Sequence, residues 1–169
     1  MHRLAIVSCL TFVSIVTVTV SARQAPPPVP ATQGVSAGTV TAAGKTVTLA
    51  HAYVGSLSDG EYEVVLTDTP LPEAAIATEV SPGGQPLLRQ GKASGIAMHV
   101  NKKGFVLNLV PFIGENLRGN TMLASAGDLT TFKASATSVT GQGTKAAAQT
   151  SHQGWSYSAS WNAVPVVVK

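Results

Sequence analysis

The chain is poor in the residue types that usually carry chemistry. It holds 1 cysteine in 169 residues, Cys9, and that residue sits near the start of an apolar run. A disulfide framework and a thiolate metal site both need several sulfurs, so both are excluded. Charged residues make up 11% of the chain and aromatics 5%. The 11 Lys and Arg outnumber the 8 Asp and Glu, but they are scattered, and only Lys102 and Lys103 are adjacent among the basic residues beyond the N-terminus. Without a basic stripe, nucleic acid is not an expected partner. Asn-x-Ser/Thr is missing too, because Asn120-Thr121 runs into Met122. No His-Glu-x-x-His and no Gly-rich phosphate loop is present, so the common metalloprotease and nucleotide signatures are lacking.

What the chain does have begins at its N-terminus. Met1, His2 and Arg3 form a short basic start, and Leu4 to Val20 is apolar. Val20-Ser21-Ala22 then places small residues where a signal peptidase reads, which predicts a signal peptide over 1–22 and cleavage between Ala22 and Arg23. Ser8, Thr11, Ser14, Thr17 and Thr19 weaken the run as a permanent anchor, so no stable membrane anchor is expected after cleavage. Pro26, Pro27, Pro28 and Pro30 follow, and residues 23–33 read as an extended Pro-rich tether. Residues 34–169 suit one domain. Cys9 leaves with the signal, so the exported chain must hold together by its core alone.

Period-two patterning dominates that domain. Trp155, Tyr157, Ala159, Trp161 and Ala163 alternate with Ser156, Ser158, Ser160 and Asn162, which predicts a strand with one aromatic and one hydroxylated face. Val35–Ala42 and Thr46–Val54 flank Ala43-Gly44-Lys45 as a hairpin. In its second strand Val47, Leu49, His51 and Tyr53 are expected to share the apolar face. Glu61–Asp68 continues the meander after a turn at 56–60. Ala93–Val100 and Phe105–Val110 flank the Asn101-Lys102-Lys103-Gly104 turn. Weaker strands are expected over Thr121–Ser125 and Leu129–Val139, with 144–149 ambiguous and Pro165–Lys169 as a short edge strand. Pro70 and Pro72 before Glu73–Glu79, and Pro82-Gly83-Gly84 after it, predict one short helix. Strand number and spacing give the fold class: all-β, an antiparallel β-sandwich with one short helix, preceded by a signal peptide.

Few side chains qualify as a site. Asp59, Glu61 and Glu63 form the densest acidic patch, and Glu61 and Glu63 fall on one side of a strand, about 7 Å apart by strand rise. Such a pair suits Ca²⁺ or acid–base work, although nothing adjacent in sequence supplies further oxygens. His51 reads as a hydrogen-bonded residue of the core face, His99 as facing away from Ile96 and Met98, and His152 as a loop residue. Glu61, Glu63, His51 and Asp68 are the catalytic candidates. Trp155, Tyr157 and Trp161 are the binding candidates, as a platform for sugar rings, weighed against their filling the core. No metal ligand set and no cofactor are expected.

The run Gly38-Thr39-Val40, Gly44-Lys45-Thr46-Val47-Thr48-Leu49-Ala50-His51-Ala52-Tyr53 and Glu63-Val64-Val65-Leu66-Thr67-Asp68-Thr69-Pro70-Leu71 resembles a motif of uncharacterised exported bacterial β-domain proteins. The resemblance covers residues 38–71. It implies an exported β-domain and carries no catalytic residues. The expected function is a periplasmic or secreted, non-enzymatic module that binds a protein, an envelope polymer such as a glycan, or a small ligand. An envelope or extracellular hydrolase using the carboxylates or His51 is one alternative. A structural or adhesin-like subunit assembling by strand addition is the other, with Val166-Val167-Val168 as the donor strand and residues 165–169 dispensable to the monomer.

Overall fold

Ala43 and Gly44, with φ of 49° and 73°, close the first hairpin of a computed structural model that describes residues 33–113, 129–146 and 155–168. Positive φ at both central positions is what a two-residue hairpin loop demands, because its twist then matches the strands. The hairpin joins β1 (Gly34–Ala42) to β2 (Lys45–Ser56). A turn ending at Gly60 (φ 82°) leads to β3 (Tyr62–Thr67). Two helices follow, α1 (Glu73–Glu79) and α2 (Pro86–Arg89), then β4 (Gly95–Val100) and β5 (Val106–Phe112). The β4–β5 turn is fastened by Asn101, whose Oδ1 accepts the backbone N–H of Lys103 at 2.9 Å and of Phe105 at 3.0 Å. The remaining strands are β6 (Thr131–Ala134), β7 (Val139–Lys145), β8 (Trp155–Ala163) and β9 (Pro165–Val167).

The strands form one sheet in the order β5-β4-β3-β2-β1-β8-β7-β6, antiparallel throughout, with β9 added in parallel to the end of β2. The sheet curls. Its far ends meet where Leu129 donates its N–H to the Gly104 carbonyl at 3.1 Å and Phe132 packs edge-on against Tyr62, ring centres 5.7 Å apart. Inside the curl lie Val40, Leu49, Val54, Val64, Leu66, Ile96, Met98 and Leu109, with Trp155, Tyr157 and Trp161 from β8. Each such side chain contributes about 1.5–3 kcal/mol when fully buried. Gly141 pairs across the ladder with Trp161, and the indole lies where a Cβ would stand.

The outer face of β2–β5 is covered as well. Leu71, Ile76, Val80 and Leu88 of the helical segment pack on Tyr53, Val65, Ala97 and Phe112, with Val166 and Val168 against the same cluster. Strands β3 and β4 are thus buried on both faces, which explains their unbroken apolar runs. The Tyr53 hydroxyl fixes the cover to the sheet by accepting the Leu71 N–H at 2.7 Å.

Most expected elements are found, with β8 and α1 at the expected bounds. Several details differ. The described residues hold two helices rather than one, because Pro86 starts a second, four-residue turn. The Leu129–Val139 strand is a hairpin: the Ser135 hydroxyl accepts the N–H groups of Thr137 and Ser138 and turns the chain without Gly or Pro. The β1–β2 register shifts between Val35 and Gly38, and β2 changes phase there. Val47 and Leu49 face the interior, but farther along Ala52 and Val54 do, so His51 and Tyr53 turn to the outer face instead of sharing that of Leu49. The C-terminal tail is no free donor strand: Pro165–Val167 pairs with Val54–Ser56 of its own chain. The expected signal, its cleavage point, the tether except Gln33, the Thr121–Ser125 strand and His152 lie outside the described residues. Among the described residues, no helix is long and apolar enough to cross a membrane.

Candidate functional site

One row of cross-strand partners carries the polar chemistry of the outer face. Gly55 of β2 stands opposite Glu63 of β3, Glu63 opposite His99 of β4, and His99 opposite Asn108 of β5. Directly opposed residues in an antiparallel pair have neighbouring side chains, so the register alone brings Glu63, His99 and Asn108 together. Gly55 leaves the end of the row open to the cover, since a Cβ there would run into the Val80 carbonyl.

His99 joins the two carboxyl groups the sequence singled out. Its Nε2 lies 2.5 Å from Glu61 Oε2 and its Nδ1 lies 3.3 Å from Glu63 Oε2. An imidazole between two carboxyl oxygens needs a proton in each contact. That requires either an imidazolium between two carboxylates, or a neutral ring accepting a proton from one carboxylic acid. The arrangement does not chelate, because the two carboxyl groups meet opposite nitrogens of the ring. Among the described residues, no group of three or more such side chains is placed to hold a metal ion.

Glu63 is buried, and burial pushes its pKa up to about 7 against the opposing pull of His99 and Gln85. The helical cover supplies its second partner: Gln85 donates Nε2–H to Glu63 Oε1 at 3.0 Å. The same amide reaches the carbonyls of Glu79 at 3.2 Å and Ser81 at 3.1 Å. Gln85 makes these bonds from a left-handed backbone (φ 57°, ψ 43°), a conformation costing about 1–2 kcal/mol for a residue with a Cβ. Glu79 is fully buried. Its Oε1 accepts the Leu87 N–H at 2.6 Å, its Oε2 has no hydrogen-bond partner among the described residues, and burial raises its pKa.

Between sheet and cover, Glu63, Ala97, His99, Asn108, Val110, Gly83, Gln85 and Arg89 line a cavity of about 200 Å³. Asn108 Oδ1 is buried and has no hydrogen-bond partner among the described residues. The Arg89 guanidinium is anchored by its Nε–H on the Gly84 carbonyl at 2.9 Å and lies over the Phe112 ring, 5.7 Å from its centre. On the far side of His99, Glu61 belongs to a separate notch with Asp59, Asn101, Lys102 and Lys103.

The other candidates do not join this cluster. His51 is half-buried, with Nδ1 against Gln33 Nε2, and three residues along the strand, Val64 to Leu66, separate its partner Thr67 from Glu63. Asp68 is a loop clamp, accepting the Ser94 N–H at 2.9 Å and the Thr69 hydroxyl at 3.2 Å. Trp155, Tyr157 and Trp161 are about 95% buried inside the curl and offer no platform on that face. Sequence reasoning placed His99 correctly away from Ile96 and Met98 but gave it, Gln85, Arg89 and Asn108 no role. The apolar residues at every position of Val64-Val65-Leu66 and Ile96-Ala97-Met98 were the available signal. A strand covered on both sides places its polar side chains under a lid. Compared with known proteins, the chain matches no family model, no curated protein and no solved structure.

Proposed function

We propose that the chain is an exported, non-enzymatic binding module, periplasmic or secreted, whose ligand is a small polar molecule held between the sheet and its helical cover. In this reading the two halves of the curled sheet face each other across the aromatic core like the leaves of a sandwich, and the outer face of one leaf bears the site. Export rests on the residue pattern of 1–22, and the likeness of 38–71 to exported bacterial β-domains agrees with it. The observation that carries the binding reading is the cavity of about 200 Å³ between sheet and cover, lined by polar side chains of both layers, Glu63, His99 and Asn108 from the sheet and Gln85 and Arg89 from the cover. A thermal-shift screen of the purified chain against small polar molecules tests the reading. Protection that disappears in Asn108→Leu supports it, and no protection by any compound refutes it.

A second reading, the extracellular or envelope hydrolase, draws on a different observation. Glu61 and Glu63 meet one imidazole, and Glu63 is held near 7, the range that suits a general acid or base. Both Glu63 oxygens already have partners, which favours binding over turnover. Hydrolysis of glycan or ester substrates that stops in Glu63→Gln, with binding retained, would reverse the preference.

A further inference from the structure

The contacts of His99 can be counted in protons. Its Nε2 meets Glu61 and its Nδ1 meets Glu63, and each contact needs one hydrogen. Two hydrogens satisfy the chain of three groups. With one fewer, the ring keeps a single N–H between two carboxylates, and only one contact survives. Exposure decides which. The Glu63 side chain is 8% exposed and the Glu61 side chain 27%, and a carboxylate that loses its donor costs far less where water replaces it. The Glu61 backbone is fastened in its turn, with its N–H on Asp59 Oδ1 at 3.1 Å and its carbonyl accepting the Leu57 N–H at 2.9 Å. Movement is thereby left to the side chain, which borders the notch of Asp59, Asn101, Lys102 and Lys103.

The geometry points to a proton-counting switch: loss of one proton from the Glu61–His99–Glu63 chain moves the remaining ring N–H onto Glu63 and releases the Glu61 carboxylate into the notch. The lost proton goes to solvent. Glu63 then keeps two donors, the His99 Nδ1–H and the Gln85 amide, and the sheet stays joined to its cover. Glu61 exchanges the ring for water and for the ammonium groups of Lys102 and Lys103 on the β4–β5 turn. Burial holds Glu63 up to about 7, so the change falls near neutrality as pH rises. The other groups around the chain leave the count unaltered. On α1, the Glu79 carboxyl engages the Leu87 N–H within the cover. On α2, Arg89 carries a fixed charge. Gly55 of β2, Asn108 of β5, and Val166 and Val168 of the tail carry none. Asp59 lies on the notch side, with Glu61 and the two lysines. The switch is independent of any ligand in the cavity.

Nitrogen NMR of the His99 ring in the purified full chain, titrated across neutrality, tests the switch. Below neutrality Nε2 is expected to carry hydrogen, bonded to Glu61. Above it the hydrogen is expected on Nδ1 with Nε2 bare, and nuclear Overhauser contacts between the Glu61 side chain and the ring are expected to disappear. Glu63→Gln supplies Nδ1 with a donor that pH does not remove. In this variant Nε2 is expected to keep its hydrogen and Glu61 its place on the ring across the same range. An Nε2 that keeps its hydrogen above neutrality in the parent overturns the switch, because Glu63 rather than Glu61 is then the group left without a donor. An Nε2 without hydrogen below neutrality overturns it as well, and so does a Glu63→Gln variant that releases Glu61 as the parent does. The parent titration decides the direction of the switch whether or not the variant folds.

Discussion

Gln85 and Glu63, 22 residues apart, are joined by a buried 3.0 Å hydrogen bond that runs from the helical cover to the sheet. The bond ties two decisions together. One is the register that sets Glu63 opposite His99, and the other is the left-handed backbone that aims the Gln85 amide downward. Loss of either leaves buried polar groups without partners.

The proton on Glu63 makes stability depend on pH. The folded chain holds it up to about pH 7, whereas the unfolded chain releases it near 4.5. Between those values the folded state binds more protons, so stability falls as pH rises through the window and levels off above it. A shift of this size corresponds to about 3 kcal/mol. Urea denaturation of Glu63→Gln across the same range is expected to show a much flatter profile and a higher midpoint than the parent above neutrality. The introduced amide can still accept from Gln85 and donate to His99. Glu79, also raised by burial, accounts for the slope that remains.

The strain at Gln85 separates side-chain from backbone effects. Gln85→Ala removes the donor to Glu63, Glu79 and Ser81 and keeps the strained backbone. Gln85→Gly removes the same donor and relaxes it. Both variants are expected to be less stable than the parent, Ala by about 3 kcal/mol from unpaired buried acceptors, and Gly by about 1 kcal/mol less than Ala. Equal losses in chemical denaturation would show that the left-handed conformation stores no strain.

The legible part of this protein is the part governed by alternation. Trp155 to Ala163 gives β8, Ala43-Gly44 gives the first hairpin, and Pro72 with Gly83 brackets α1 because those residues restrict or free φ locally. The Ser135 turn was hidden because its hydroxyl does work usually assigned to Gly or Pro. His51 was misplaced because a one-residue register shift moves every later side chain to the other face, and that shift is a property of the β1–β2 pair. For the same reason the site was half visible. Glu61 and Glu63 declared themselves by spacing, whereas His99, Asn108, Gln85 and Arg89 reach them through pairing and cover that no local pattern encodes.

Tyr53 anchors the cover independently of the acid cluster. Its hydroxyl, buried with the rest of the side chain, accepts the Leu71 N–H at 2.7 Å. Tyr53→Phe keeps the ring and orphans that N–H, so a loss of about 1–3 kcal/mol is expected. Hydrogen exchange supplies the local readout: the Leu71 amide is expected to lose protection while amides of β7 and β8 keep theirs. Unchanged Leu71 protection would place the anchor elsewhere.

Gly141 and Trp161 test the interior. The indole occupies the space of a Cβ at 141, so Gly141→Ala forces the ring aside and is expected to destabilise by about 1–3 kcal/mol. In Trp161→Leu the obstacle is gone, and the same alanine is expected to be nearly neutral or favourable, since glycine weakens a strand interior. A double-mutant cycle on thermal or urea midpoints reads the coupling, expected at about 1 kcal/mol or more. Additive losses would mean that the close approach is not what selects glycine here.

The C-terminal strand decides between an internal and an external role for the tail. Pro165–Val167 pairs with Val54–Ser56, Val168 donates its N–H to the Ser56 carbonyl at 3.0 Å, and Val166 and Val168 rest on the second core. Truncation after Val164 removes these contacts and uncovers Gly55, the residue across from Glu63. The truncated chain is expected to lose about 2 kcal/mol or more, from two half-buried valines and the ladder bonds beside them, with the loss independent of protein concentration. A tail held by its own chain has no reason to make stability depend on concentration, whereas a tail donated to a neighbouring copy does. Denaturation of the full chain over a range of concentrations, beside the truncation, therefore separates the two roles: a midpoint that rises with concentration would assign the strand to assembly after all.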